Sequence, residues 1–263
     1  MTKHQNKVFV LPLLAALVTV TWGNAQAHTR FDINTTREGT RVDNHVVIPH
    51  GCTDQPVIGN VTVFPDVSTA LVDTAPLPNA AISSDAFTRS DQPASAFVLG
   101  VITFSPILSK HVFTMHEVVR DANGNPIGEW QAGGSSIPPR NWVAKLPVRI
   151  NPIAIEPTSC VNRLIVAPAI ANICQLTSIH EINGKDSDRL DVDFWTAPEA
   201  GHPQFDGPAW NYPAPYIVTR NLETNPLPGN CGEGITARIY PSAQQLDRDM
   251  PVRIDGTQVW PLP

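Results

Sequence analysis

His28 directly follows Ala25-Gln26-Ala27, the small-x-small pattern that signal peptidases read. Cleavage after Ala27 leaves His28 as the first residue. Such a histidine offers two nitrogens, its α-amine and its ring Nδ1, which together close a chelate ring around a metal ion. Copper(II) heads the divalent affinity order and accepts tetragonal nitrogen and oxygen ligands, so it is the metal this pair favours. An α-amine ordinarily titrates at about 7.7–8.0, close enough to neutrality for the metal to displace its proton at modest cost. The competing reading is that some residue must begin a mature chain and His28 does so by coincidence.

Further donors are weighed the same way. In residues 41–48 an alternating pattern puts Asp43 and His45 on one face of a strand, where the pair could approach a bound metal together. An isolated strand histidine is more often just a satisfied polar residue. His50, in Pro-His-Gly-Cys, reads as part of a tight turn. His111 and His116 flank Met115, a softer set suited to copper(I), but their odd separation sends the two rings to opposite faces of a strand. His180 and His202 read as surface residues of loops. Trp130, just ahead of Gly133-Gly134, is by itself a core or turn anchor.

The elements that must position these groups are short strands. The 26 prolines leave little room for long helices. Runs of β-branched and apolar residues at 29–34, 41–48, 57–64, 96–104, 111–119, 144–150, 163–166, 217–220, 235–240 and 252–254 predict an all-β sandwich. Asp121-Ala-Asn-Gly-Asn-Pro126 predicts a hairpin turn between 111–119 and 127–131. Only residues 242–249 suggest a helix. From Pro198 to Pro228 the chain is crowded with Pro, Gly, Asn and aromatic residues, which predicts a long surface-wrapping loop.

Lys3 and Lys7, the apolar run from Val8 to Val20 and the polar stretch before Ala27 mark residues 1–27 as a removable export signal. The apolar run is shorter than the ~20 residues that cross a bilayer, and no second such run follows, so no membrane anchor is expected. A periplasmic or secreted location follows, and the 4 cysteines then read as two disulfides whose connectivity the spacing leaves open. Only 16% of residues are charged and the formal net charge is -6, which gives no footprint for nucleic acid.

The strand ending in Val46-Val-Ile-Pro-His-Gly-Cys52, with the alanine-histidine start ahead of it, resembles the YcnI-like copper-binding domain, a family of bacterial copper-homeostasis loci. Glu129-Trp130-Gln-Ala-Gly-Gly134 with Ile137-Pro138, Pro168 to Cys174, and Asp193-Phe-Trp195 are similar to further segments of that family. The resemblance covers residues 28–196 and leaves 197–263 as a Pro-rich extension packed on the same domain. It implies an immunoglobulin-like β-sandwich that binds copper(II) through His28, with an acidic side chain and a tryptophan nearby. Carried over by position, Asp43 is the first choice of acid, Asp32 and Glu129 are the alternatives, and Trp130 is the aromatic neighbour. His50 then serves the family's turn and disulfide. The resemblance also implies pairing of Cys52 with Cys174 and of Cys160 with Cys231.

The functional expectation is an exported copper(II)-binding protein that captures, stores or hands over the ion, to another periplasmic copper protein or to a transporter, without turnover. One alternative is a copper monooxygenase using His28 and His45. The other is a metal-free secreted sandwich that serves as an interaction protein. The chain carries no Gly-x-Ser-x-Gly, His-Glu-x-x-His, P-loop or dinucleotide fingerprint, which disfavours hydrolases and nucleotide enzymes.

Overall fold

The sequence Val-Asp-Asn-His-Val-Val-Ile forms the strand Val42–Ile48, which sends Asn44, Val46 and Ile48 inward and Asp43 and His45 outward. The same period-2 logic builds most of the protein, a computed structural model of which describes residues 28–77 and 81–263. Residues 1–27, read above as an export signal, lie outside the described residues.

Three sheets carry the fold. A four-stranded sheet runs in the order Arg30–Phe31, Val42–Ile48, Ala144–Ile150, Phe104–Pro106. A five-stranded sheet runs Val192–Trp195, Ala169–Ile173, Val57–Val63, Pro126–Ile137, Phe113–Arg120. A six-stranded sheet runs Thr35–Arg37, Tyr216–Thr219, Val161–Val166, Ile235–Tyr240, Leu71–Pro76, Thr88–Arg89. The first two are antiparallel, and the third is mixed, with Val161–Val166 parallel to Ile235–Tyr240. The chain is thus an all-β sandwich, as its composition predicts.

One core cluster joins the sheets: Phe31 and Val46 from the first, Ile170 and Trp195 from the second, Val218 and Ile239 from the third. A second cluster packs Val61, Trp130, Ala171 and Phe194 of the five-stranded sheet against Leu246, Met250 and Trp260. Those last three come from the helix Ala243–Asp249, the turn after it and the terminal hairpin Val252–Ile254 and Thr257–Trp260. Both faces of the five-stranded sheet are therefore buried, which is why Ala169–Ile173 is buried at every position.

The helix begins where expected, with the Ser242 side chain accepting a hydrogen bond from the Gln245 N–H. The expected hairpin also forms: Asp121 Oδ1 accepts from the N–H groups of Asn123 and Asn125, and Gly124 takes φ 82°. Both disulfides join the partners that the resemblance implies, Cys52 with Cys174 and Cys160 with Cys231.

Two expectations need correction, and one strand has no counterpart among them. Residues 96–104 do not form one strand; Gly100 at φ 81° turns the chain between Val98–Leu99 and Phe104–Pro106. The strand Leu71–Pro76 goes unrecognised in the sequence because Asp73 interrupts its apolar pattern. That carboxylate is buried and paired with Arg238 and Arg89, each at 2.7 Å. Finally, the segment after Pro198 does not merely wrap the surface: Ala200, His202, Phe205 and Ala214 are buried, and Tyr216–Thr219 pairs with Val161–Val166. Among the described residues no helix is long and apolar enough to cross a membrane.

Candidate metal site around His28

The position of His28 follows from strand register. Arg30 pairs with Val47 and Phe31 with Val46, antiparallel, so the chain ahead of Arg30 runs beside the turn that follows Ile48. That turn is Pro49-His50-Gly51-Cys52. Gly51 is required there, because a Cβ would meet the Gln55 carbonyl oxygen at 2.0 Å. The Cys52–Cys174 disulfide then ties the turn to the end of Ala169–Ile173, and Val192–Trp195 is the next strand over, with Asn172 paired to Asp193. Three segments distant in sequence therefore meet at His28.

The result is a pocket of about 210 Å³ lined by His28, His50, Asp193, Trp195 and Tyr212 among others. The His28 ring lies 4.9 Å from Trp195, tilted by 47°, and 5.6 Å from Tyr212, stacked at 24°. Trp195 and Tyr212 also stack on each other at 5.8 Å. His50 Nδ1 lies 2.5 Å from the Gly51 carbonyl oxygen and therefore donates to it, which leaves the Nε2 lone pair for other work. Asp193 Oδ2 stands 4.0 Å from the same Nδ1 and, although buried, has no hydrogen-bond partner among the described residues.

Burial governs the titration of this pocket. It lowers the His28 pKa, the nearby His50 lowers it further, and a hydrogen bond to the Asn211 backbone partly offsets both. Burial raises the Asp193 carboxyl to about 7, against the pull of His50 and with help from Asp191. Near neutrality the pocket thus holds an unprotonated imidazole beside a carboxyl on the verge of ionising. The imidazole can bind a cation without first losing a proton, and the carboxyl readily exchanges its proton for one.

The donor set from side chains alone is incomplete. Among the described residues no three His, Cys, Asp or Glu side chains converge closely enough to hold a metal ion. The rings of His28 and His50 and the orphaned Asp193 oxygen suit a borderline cation. The group that would complete the set is the α-amine that His28 gains only when the chain begins there.

The other residues singled out in the sequence lie elsewhere. Asp43, first choice for the acid, is exposed on the outer face of the four-stranded sheet, where Arg149 holds it at 2.5 Å. His45 faces Asp32, 3.3 Å away, and Asp32 is also paired with Lys145. Trp130 sits in a cross-strand row with Val61, Ala171 and Phe194, on the face of the five-stranded sheet opposite Asn172 and Asp193. Its place beside His28 is taken by Trp195. Glu129 is buried within the sandwich, hydrogen-bonded to Gln131 at 2.8 Å.

His202 is not the surface residue its loop suggests: it is buried, stacks on Phe205 at 4.6 Å, and its Nδ1 accepts from the N–H groups of Gln204 and Phe205. His180 is exposed, and His116 Nε2 contacts the Phe113 carbonyl oxygen. Tyr212 has no local signal in the sequence, and Asp193 has only a weak one. Asp193 is one acid among several in 186–193, and Tyr212 lies in the Pro-rich region that reads as loop. The usable clue to Asp193 was its proximity to Trp195 in Asp-Phe-Trp. No protein-family profile matches this chain, and no curated protein matches it.

Proposed function

We propose that this protein is an exported copper(II)-binding protein of the YcnI-like kind, which captures the ion through His28 as its mature first residue and holds it for storage or transfer. The observation that supports the reading is that His28, His50 and the unpartnered Asp193 oxygen line one pocket. Two disulfides support an oxidising compartment. Copper(II) is the cargo: the amine and ring of His28 chelate it, and His50 and Asp193 stand by as the further nitrogen and oxygen. Trp195 and Tyr212 cover the imidazole and fix its plane. Because the side chains alone fall short of a three-ligand group, cleavage after Ala27 would switch the site on.

The test compares protein that begins at His28 with protein carrying one glycine ahead of it, each given one equivalent of copper(II). Electron paramagnetic resonance of the first should report a single type 2 signal with nitrogen couplings. The added glycine should weaken binding by about 100-fold, roughly 2.7 kcal/mol. Equal affinity in the two proteins would sink the chelate.

A second reading is favoured by one observation. A copper monooxygenase needs a second histidine ring beside the first, and the histidine near His28 is His50 rather than the expected His45. Reductant-driven, oxygen-dependent turnover by the copper-loaded protein would select this reading, and inert copper would select the carrier.

A further inference from the structure

A row of polar side chains crosses the interior of the sandwich where apolar ones would be ordinary. Gln131 pairs with Asn60, Asn60 with Asn172, and Asn172 with Asp193, one residue from each of four adjacent strands. This row shares its face with Ile170, Trp195 and Phe64, which belong to the main core. Thr29, Asn60, Thr62 and Asn172 are each no more than 2% exposed. Burying such groups costs free energy unless each finds a partner.

These four do, in a directed chain. Thr62 Oγ1 donates to Asn60 Oδ1 at 3.0 Å, Asn60 Nδ2 donates to Asn172 Oδ1 at 3.0 Å, and Asn172 Nδ2 donates to Thr29 Oγ1 at 2.8 Å. Each amide orientation is dictated by its neighbour, since flipping Asn172 would set its nitrogen against that of Asn60. The chain ends one peptide from His28. Its last amide belongs to the ladder partner of Asp193, so a single side chain references both walls of the pocket.

We infer that the buried relay Thr62–Asn60–Asn172–Thr29 is a positioning device that fixes the start of the mature chain and thereby presets His28 against His50 and Asp193. The metal part of this inference rests on the copper reading above, whereas the positioning of the ring does not. A satisfied network in a low-dielectric interior is stiff, and that suits a terminus which would otherwise fray. Outer groups that orient a metal ligand typically govern about 10–100-fold in affinity.

The decisive variant is Thr29→Val, which keeps the branched shape, removes the acceptor, and leaves both nitrogens of His28 intact. Two readouts are taken on protein beginning at His28: the copper(II) resonance spectrum with its affinity, and the NMR signal of the His28 ring without metal. The expected result is one sharp ring signal and one copper species in the wild type. Thr29→Val should give a broadened or doubled ring signal, two copper species and about tenfold weaker binding, and Thr29→Ser should restore the wild-type pattern. If Thr29→Val fails to fold, Thr62→Val at the far end of the relay carries the same comparison with a smaller effect.

A variant with an unchanged ring signal and unchanged copper spectrum would overturn the relay while leaving the copper reading intact. Failure of the wild type to take up copper would overturn the copper reading, and the ring signal would still decide the relay.

Discussion

Asp193 Oδ2 stands 4.0 Å from His50 Nδ1, yet no hydrogen bond reaches it among the described residues. A buried carboxylate oxygen left in that state costs stability, and a cation in the pocket would recover it. On the copper reading proposed above, the acidic partner of His28 is Asp193, on the strand Val192–Trp195, rather than Asp43.

Replacing the two acids should separate these assignments. Asp193→Asn should weaken copper(II) binding by about tenfold, roughly 1.4 kcal/mol, and Asp43→Asn should change it by less than about twofold, because Arg149 already neutralises an exposed carboxylate. Isothermal titration with a competing chelator reads both. A larger loss for Asp43→Asn would restore the original choice.

Copper affinity should rise with pH between about 6 and 8. Over this range the wild type releases protons from the His28 amine, ordinarily near 7.7–8.0, and from Asp193, raised to about 7. Asp193→Asn removes one of the two, so its plot of affinity against pH should be shallower. Parallel plots would mean that Asp193 does not exchange its proton for the metal.

Metal-free stability should move the opposite way. Asp193 and Glu129 are both raised to about 7, chiefly by burial, from ordinary values of 3.8 and 4.5. The folded protein therefore keeps two protons that the unfolded chain has lost. Their contribution to stability is full near the unfolded values, is lost as pH rises through about 4 to 7, and is absent above, while His28 and His202, lowered by burial, add a smaller opposite slope below about 6.5. Below about 4 a separate loss sets in, because Asp191, despite its burial, is held down by hydrogen bonds from Arg189. Urea midpoints at pH 4.5, 6 and 8 should show the first slope, and the double variant Asp193→Asn, Glu129→Gln should flatten it.

Tryptophan emission distinguishes Trp195 from Trp130. The Trp195 ring lies 4.9 Å from His28, so copper(II) held there should quench it, and Trp195→Phe should lose most of the quenching. Trp130→Phe should keep it, since Trp130 faces the second core cluster across the sheet. Quenching that vanishes with Trp130 instead would place the metal on the other face.

The two disulfides should divide in their effects. Removing Cys52–Cys174 should cost about 2–5 kcal/mol and also weaken copper binding, because that bridge seats the His50 turn against the strand beside Asp193. Removing Cys160–Cys231, which ties Val161–Val166 to the approach of Ile235–Tyr240, should lower stability alone. Denaturant melts paired with copper titrations test the division.

What local chemistry can specify is legible in the order of residues. Proline frequency and period-2 runs excluded long helices and set most strands. Asp121 through Pro126 dictated a hairpin, and Ser242 dictated a helix start, because each acts within a few residues of itself. His28 stood out as a candidate chelator because its ring nitrogen and the amine it would carry as a first residue belong to one residue. The rest depends on the fold, since which side chains share a pocket is a matter of distance and not of spacing. His50 and Asp193 become neighbours only through strand register and a disulfide that closes residues 52 to 174. Asp43 and Trp130, adjacent in sequence to the right features, were carried to the wrong faces by the alternation that made their strands predictable. Tyr212 reached His28 from a Pro-rich segment with no periodicity, and its stacking on that ring comes from how the segment packs against the sandwich.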